Sequence, residues 1–241
     1  AGTDAIDRAA AEKRGITILN TPGANARSVA ELTIGLILAA ARGMLAADWA
    51  VRDGDEEYRA RSTGIELYGR TLGLVGFGHV ARHVAPLARA FGMEVLAYSR
   101  AVEAGEMAEL GVGKVADLDA LLAAADVVSL HAAGGGGVLI GAREIARMKP
   151  GALLVNTARG SLVDEVALAA ALRDGRLAAA ALDVTAVEPL PPGSALLDAP
   201  NLILTPHLGG STQAALDRTA AAIARRVVAA LAERGAIRHT A

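Results

Sequence analysis

The chain has 241 residues, 53% of them hydrophobic but only 2% aromatic, with a formal net charge of -2 and no cysteine. That length suits one large domain or one and a fraction, and a core of Ala, Val, Leu and Ile suits a parallel sheet covered by helices on both faces. Charge, cysteine count and short apolar runs exclude nucleic-acid binding, disulfides, thiolate metal sites and a membrane span, leaving a reducing cytoplasm as the expected setting.

The chain opens at Ala1-Gly2-Thr3-Asp4 without a methionine, which points to a fragment or a processed form. Residues 16–20 read as a strand ending at Thr21-Pro22-Gly23. Ser28-Val29-Ala30-Glu31 is a capping-box pattern that predicts a long helix, with Val29, Leu32, Ile34, Leu36, Ile37 and Ala40 forming its buried stripe. From residue 72 onward, short apolar runs alternate with helical patterns. Strands are predicted over 72–76, 94–98, 127–130, 152–156, 179–184 and 202–205. Helices are predicted over 80–91, 118–124, 142–148 and 165–174, with Gly92, Gly151 and Gly175 where helices would stop. This alternation predicts an α/β fold with a doubly wound, mostly parallel sheet. Four glycines at 134–137 form a short low-complexity tract. A second long helix is predicted from near Ser211 to about Glu233, with Ile223, Val227, Val228 and Leu231 available for packing.

Gly76-Phe77-Gly78-His79-Val80-Ala81 follows a predicted strand and opens a predicted helix. The first glycine permits the tight turn, and the second lets backbone approach a pyrophosphate. The helix N-terminus then stabilises the negative charge. The next strand ends at Ser99-Arg100, about twenty residues on, where an acid would bind the ribose hydroxyls of NAD and repel a ribose phosphate. Serine removes that repulsion and arginine can pair with phosphate as a planar fork. The pair favours NADP; the alternative is a solvated Arg100 and NAD.

Three residues near the C-terminal end each follow a strand-like run: Arg159, Glu188 and His207. Imidazole can exchange a proton with a ketone or alcohol near neutral pH. A carboxylate can hold one ring nitrogen, and a guanidinium can clamp a substrate carboxylate and polarise the neighbouring carbonyl. Taken singly, the three could be a salt-bridge partner, a turn acid before Pro189 and a strand-end histidine. No nucleophile-elbow pattern and no histidine pair at ligand spacing offers a competing serine or metal mechanism. His83 reads as a helix-surface residue, His239 as part of a tail, and His131 as a strand end beside the adenosine pocket.

The phrases around these residues resemble those of the D-isomer-specific 2-hydroxyacid dehydrogenases, particularly the D-3-phosphoglycerate dehydrogenase and hydroxypyruvate reductase branch. The similarity runs through Gly2-Thr3-Asp4-Ala5-Ile6-Asp7, Asn20-Thr21-Pro22-Gly23, Gly76 to Ala81, Lys149-Pro150-Gly151, Asn156 to Asp164, Ala181 to Pro189 and Pro206 to Thr212, covering essentially the whole chain. The resemblance implies a Rossmann sheet with a remnant of a flavodoxin-like substrate domain. It also implies hydride transfer between NAD(P) and a small 2-hydroxyacid or 2-oxoacid, and a homodimer to which the helix after Ser28 contributes. Arg159, Glu188 and His207 fall on the family's catalytic positions. Thr3, Gly76, Gly78, His79, Val80, Ser99, Arg100, His131, Ala133, Thr157, Ala158, Arg159, Asp183, His207, Gly209 and Gly210 fall on positions that line the cofactor, with Asp183 towards the nicotinamide amide.

Departures from the family pattern accompany the match. A segment that the family places before Gly2-Thr3 is absent, Ala132-Ala133 and the four glycines replace a longer loop containing proline and threonine, and Thr185 stands where phenylalanine is common. The expected organisation is therefore a substrate-domain remnant at 1–24, a dinucleotide-binding domain at 25–210 and a C-terminal helix at 211–241, with apolar surface exposed on the flanks. The expected activity is 3-phosphoglycerate dehydrogenase-like; the alternatives are an NADPH-dependent glyoxylate or hydroxypyruvate reductase, and a cofactor-sensing, corepressor-like binding protein or inactive fragment.

Overall fold

The computed structural model of the chain describes residues 2, 3 and 6–233; Asp4, Ala5 and His239 lie outside them. Four helices come first: α1 (Arg8–Lys13), α2 (Ala26–Arg42), α3 (Met44–Arg52) and α4 (Tyr58–Arg61). The alternating unit follows as β1 (Thr71–Val75), α5 (His79–Ala90), β2 (Glu94–Tyr98), α6 (Ala104–Ala108), β3 (Gly113–Lys114), α7 (Leu118–Ala124), β4 (Val127–Leu130) and α8 (Ala142–Arg147). It continues with β5 (Ala152–Asn156), α9 (Glu165–Arg173), β6 (Leu177–Leu182) and β7 (Leu202–Leu204), and the chain closes on α10 (Gln213–Glu233).

All seven strands form one parallel sheet in the order β3-β2-β1-β4-β5-β6-β7. Successive strand residues face opposite sides, so each strand feeds two cores. Leu72, Leu74, Val127, Leu153, Val155 and Ala181 pack under α2 and α5. Val75, Val128, Leu130, Leu154 and Leu182 pack under α7, α8 and α9. Coverage of both faces explains why the strands read as continuous apolar runs rather than alternating ones. Ile37 of α2 is completely buried in the first core, a contribution of about 1.5–3 kcal/mol for a side chain of that size.

The chain winds outward from β1 to β3, then returns to the other side of β1 for β4. That reversal opens a crevice past the carboxyl ends of β1 and β4, where open α/β sheets bind their ligands.

Two predicted features come out differently. Residues 16–20 form no strand, since no strand among the described residues lies beside them to complete a ladder. The helix predicted after Ser28 starts earlier, at Ala26, so Ser28 is a helical residue rather than the cap. Its hydroxyl instead meets Thr212 Oγ1 at 2.7 Å, tying the start of α2 to the residue that leads into α10.

The two long helices differ in packing. Ten residues of α2 are buried against α5 and the sheet, whereas only Ala215 of α10 is. Val227, Val228 and Leu231 are 39%, 49% and 38% exposed, and Ile6 and Ile16 near the start are 44% and 56% exposed. Apolar surface therefore lies open on both flanks, as expected. Among the described residues no single helix is long and apolar enough to cross a membrane.

Candidate functional site

A cleft of about 440 Å³ runs along the carboxyl edge of the sheet. It is lined from the residues that follow β1, β4, β5, β6 and β7, with Asn20 to Val29 closing one side. Of the residues singled out in the sequence, Gly78, His79, Val80, His131, Ala133, Thr157, Ala158, Arg159, Asp183, His207, Gly209 and Gly210 line it. Gly76, Thr3, Ser99, Arg100 and Glu188 are not among its lining residues.

The glycine turn sits at the crevice. Gly76 has φ 93°, and a Cβ there would come within 2.8 Å of the His131 carbonyl and the Ala132 nitrogen. Only glycine lets the ends of β1 and β4 come this close. A Cβ at Gly78 would meet nothing within 4 Å, and α5 starts at the next residue without a side-chain cap. The first turn of α5, uncapped by a side chain, begins at the cleft wall, where helix N-terminal amides fit an anionic diphosphate. Ser99 and Arg100 follow β2. Ser99 Oγ accepts a hydrogen bond from the Ala101 amide at 3.3 Å, and the Arg100 side chain is exposed.

His131 Nε2 lies 2.9 Å from the hydroxyl of fully buried Ser129. Burial pushes its pKa down to about 4, so the ring is neutral at physiological pH.

At the other end of the cleft, Asp183 follows β6 and is 1% exposed. Its carboxylate accepts hydrogen bonds from the Thr205 hydroxyl at 2.6 Å, the Leu208 amide at 2.7 Å and the Gly209 amide at 2.8 Å. The Asp183 carbonyl accepts from the His207 amide at 2.9 Å. These bonds hold His207 at φ 57°, a left-handed conformation that costs a non-glycine residue about 1–2 kcal/mol. The sequence suggested only a cofactor contact for Asp183; its grip on the His207 loop joins residues more than twenty positions apart.

His207 Nδ1 and Glu188 Oε2 are 2.8 Å apart, with the side chains 55% and 40% exposed. Glu188 Oε1 also accepts from the Thr185 amide at 3.1 Å. Burial raises the Glu188 pKa, but the hydrogen bonds from His207 and Thr185 and the charge of Arg159 outweigh it and leave the group below its ordinary value. The carboxylate holds one ring nitrogen, leaving Nε2 as the nitrogen that can exchange a proton with a substrate. Arg159 follows β5, and its Nη1 donates to the Ala158 carbonyl at 2.6 Å. The three residues expected to share a site therefore come together at the ends of three neighbouring strands.

Several supporting residues had no functional reading in the sequence. Buried Asn156 accepts from the Ala158 amide and donates to the Arg159 carbonyl, shaping the turn that carries Arg159. Glu165 accepts from the Ala186 amide at 2.6 Å. A Cβ on Gly160 would fall 1.9 Å from the Thr185 carbonyl carbon, so the Arg159 and Glu188 loops can cross only through a glycine. Thr33 of α2 joins Thr157 at 2.9 Å. Asn20, Pro22, Gly23 and Val29 also line the cleft. The Pro-Gly turn after an apolar run was the one local signal for that wall; the other contacts link distant segments.

Residues 34–209 match the family model described as "D-isomer specific 2-hydroxyacid dehydrogenase, NAD binding domain". The chain is 42% identical over 228 residues to a D-3-phosphoglycerate dehydrogenase of Methanocaldococcus jannaschii, an alignment that takes in 94% of this chain and 43% of that protein. It is also 42% identical over 231 residues to a hydroxypyruvate reductase of Thermotoga maritima, covering 94% of this chain and 74% of the relative. Among solved structures, a glyoxylate reductase from Paecilomyes thermophila superposes with a TM-score of 0.83 at 39% identity, over 92% of this chain and 67% of that one. The chain thus spans less than half the length of the phosphoglycerate dehydrogenases it matches.

Proposed function

The chain belongs to the D-isomer specific 2-hydroxyacid dehydrogenase family, and from that premise we propose that it carries the cofactor cleft and the proton-handling residues of an NAD(P)-dependent enzyme interconverting a 2-hydroxyacid and its 2-oxoacid. The observation that carries the reading is the 2.8 Å contact between His207 Nδ1 and Glu188, placed with Arg159 beside the glycine turn of a doubly wound sheet. The glycine turn, the first turn of α5, Thr157 and Asp183 are the groups that would hold the dinucleotide. When bound, a nicotinamide gives hydride to, or takes it from, the carbon that bears the substrate oxygen. Arg159 pairs with the substrate carboxylate and draws electron density from the adjacent carbonyl. His207 donates its Nε2 proton to the carbonyl oxygen on reduction and accepts it on oxidation. Glu188 holds Nδ1 and so orients the ring.

Among substrates, 3-phosphohydroxypyruvate, hydroxypyruvate and glyoxylate are the candidates, since the relatives bear the corresponding names. Ser99 and Arg100 stand at the ribose end without an acid, which favours NADP over NAD. Within the same reading, 25–210 is the dinucleotide-binding domain, and 1–24 and 211–241 belong to the substrate side. The support is the span of the family match and the open apolar faces of the two flanks.

The test is oxidation of NADPH and NADH with each of the three oxoacids by the full-length protein and its His207→Gln variant. The expected result is NADPH-preferring turnover that drops by roughly 10²–10⁴-fold in the variant while NADPH affinity is kept. Unchanged turnover in His207→Gln would remove its proton-transfer role, and no turnover with any oxoacid despite cofactor binding would sink the enzyme reading.

For the partner, a second copy of the chain is proposed. Most of α2 is buried within its own chain, so the contact shifts to α3, where Met44, Trp49 and Val51 are 55%, 71% and 81% exposed. Light scattering should give twice the chain mass, reduced to one by Trp49→Arg; a monomeric wild-type protein would refute it.

A further inference from the structure

Two threonines in the cleft wall fix the polarity of one hydroxyl. Thr33 Oγ1, completely buried in α2, lies 2.8 Å from the Val29 carbonyl oxygen and 2.9 Å from Thr157 Oγ1. A hydroxyl has one hydrogen and two lone pairs. The Val29 carbonyl can only accept, so the Thr33 hydrogen points to it. A contact of 2.9 Å between the two hydroxyl oxygens then needs the Thr157 hydrogen between them. Thr157 has thereby committed its only hydrogen inside the wall, yet it still lines the cleft. Towards the cleft it offers lone pairs alone.

We propose that Thr157 Oγ1 is an acceptor-only recognition group for an O–H or N–H donor on the nicotinamide-riboside half of the dinucleotide, and that Thr33 is the positioning residue that sets this polarity. The proposal rests on the cofactor reading above. The assignment to that half follows from topology. Thr157 follows β5, whereas Ser99 and Arg100 follow β2, and the β1–β4 crevice separates them. A dinucleotide laid across the crevice puts one nucleoside on each side, so the ribose recognised after β2 leaves the other nucleoside to β5. The donors available there are the ribose hydroxyls and the carboxamide N–H₂. A phosphate ester or carboxylate, which brings only acceptors, is disfavoured at this oxygen.

Removing the Thr33 hydroxyl frees the Thr157 hydrogen to turn into the cleft, where it opposes the ligand donor. The Val29 carbonyl keeps its ordinary partner in the helix ladder, and Thr33→Ser restores the original relay. The test is calorimetric titration of the chain with NADPH, NADH, ADP-ribose and ADP, in wild type, Thr33→Val, Thr33→Ser, Thr157→Val and the double valine variant.

Thr33→Val should weaken dinucleotide binding by about three- to tenfold, the range of one neutral hydrogen bond, while ADP affinity stays unchanged and Thr33→Ser binds as wild type. A loss shared by ADP-ribose assigns the donor to a ribose hydroxyl; a loss confined to the dinucleotides assigns it to the carboxamide. Adding Thr33→Val to Thr157→Val should change nothing further, because the first residue acts through the second. Unaltered dinucleotide affinity in Thr33→Val, an equal loss of ADP binding, or additive effects in the double variant would each overturn the proposal. Failure of the wild-type chain to bind either dinucleotide would overturn the cofactor reading and this proposal together, a result distinct from a wild type that binds beside an unresponsive Thr33→Val.

Discussion

Two loops rim the cleft, and they are built on opposite plans. The loop after β7 carries His207 and is tethered by the buried Asp183 carboxylate, which accepts from a hydroxyl and two amides. The loop after β4 leaves buried Ser129 and its half-buried partner His131 and then runs through four consecutive glycines, three of which have nothing within 4 Å of a would-be Cβ. The fourth, Gly134, passes close to Arg159, its would-be Cβ 3.0 Å from Arg159 Cγ. One loop thus holds His207 in a strained conformation, and the other leaves room beside its neighbour. Under the proposed function, the difference would place precision where a proton is delivered and adaptability where a substrate carboxylate enters.

The sharpest way to break this contrast is to remove the tether. Asp183→Ala leaves two amides and a hydroxyl without their acceptor in a buried place. The expected loss of stability is about 3–5 kcal/mol, given that bonds to charged groups exceed neutral ones and that stranded buried donors carry their own penalty. Urea denaturation of the variant against wild type measures it. A loss below about 1 kcal/mol would show that the His207 loop keeps its shape without Asp183.

The second test concerns the anchor of the other loop and uses pH. Burial lowers His131 from 6.5 to about 4, so between those values the unfolded chain binds a proton that the folded chain refuses. The stability associated with neutral His131 is complete above pH 6.5 and is lost as pH falls towards 4. By pH 5 the loss should reach about 2 kcal/mol. Glu188, lowered from 4.5, acts in the same direction but in a lower window: its contribution is present above its unfolded value and goes only as pH falls through the lowered one. Unfolding midpoints at pH 7 and pH 5 for wild type and His131→Gln separate the two. The glutamine keeps a polar partner for Ser129 and should flatten the profile between pH 6.5 and 5. An unchanged slope would mean that the anchor is not buried as a neutral ring.

The contrast between the loops also marks how far the sequence could be read. Strand runs at 94–98, 127–130 and 152–156 were legible to the residue, because a strand covered on both faces is a continuous apolar segment. The edge strand β3 has two exposed residues and no such signature. Short helices such as α1, α4 and α6 carry too few turns for a periodic stripe. The apolar run at 16–20 has strand composition, but composition cannot supply a neighbouring strand. Likewise Arg159, Glu188 and His207 were visible in their own phrases, whereas the Asp183 tether, the Ser28–Thr212 bond and the Thr33–Thr157 relay join segments 22 to 184 positions apart. Their chemistry is ordinary, and only folding brings the partners together.

The smallest expected effect lies within the glycine tract and tests its openness directly. Gly135 and Gly137 have φ 95° and 82°, whereas Gly136 lies outside the left-handed region and its would-be Cβ meets no atom within 4 Å. Gly136→Ala therefore adds no strain to the folded loop and removes freedom from the unfolded chain, which should stabilise the protein by about 0.4–1 kcal/mol. Gly137→Ala forces a side chain into a left-handed residue and should destabilise it by about 1 kcal/mol. The pair of midpoints, taken at pH 7 where His131 is neutral, reads the loop without disturbing its anchor. If Gly136→Ala instead costs more than about 1 kcal/mol, the tract is packed in solution. The room beside Arg159 would then be a rigid cavity with a fixed shape rather than an adaptable one.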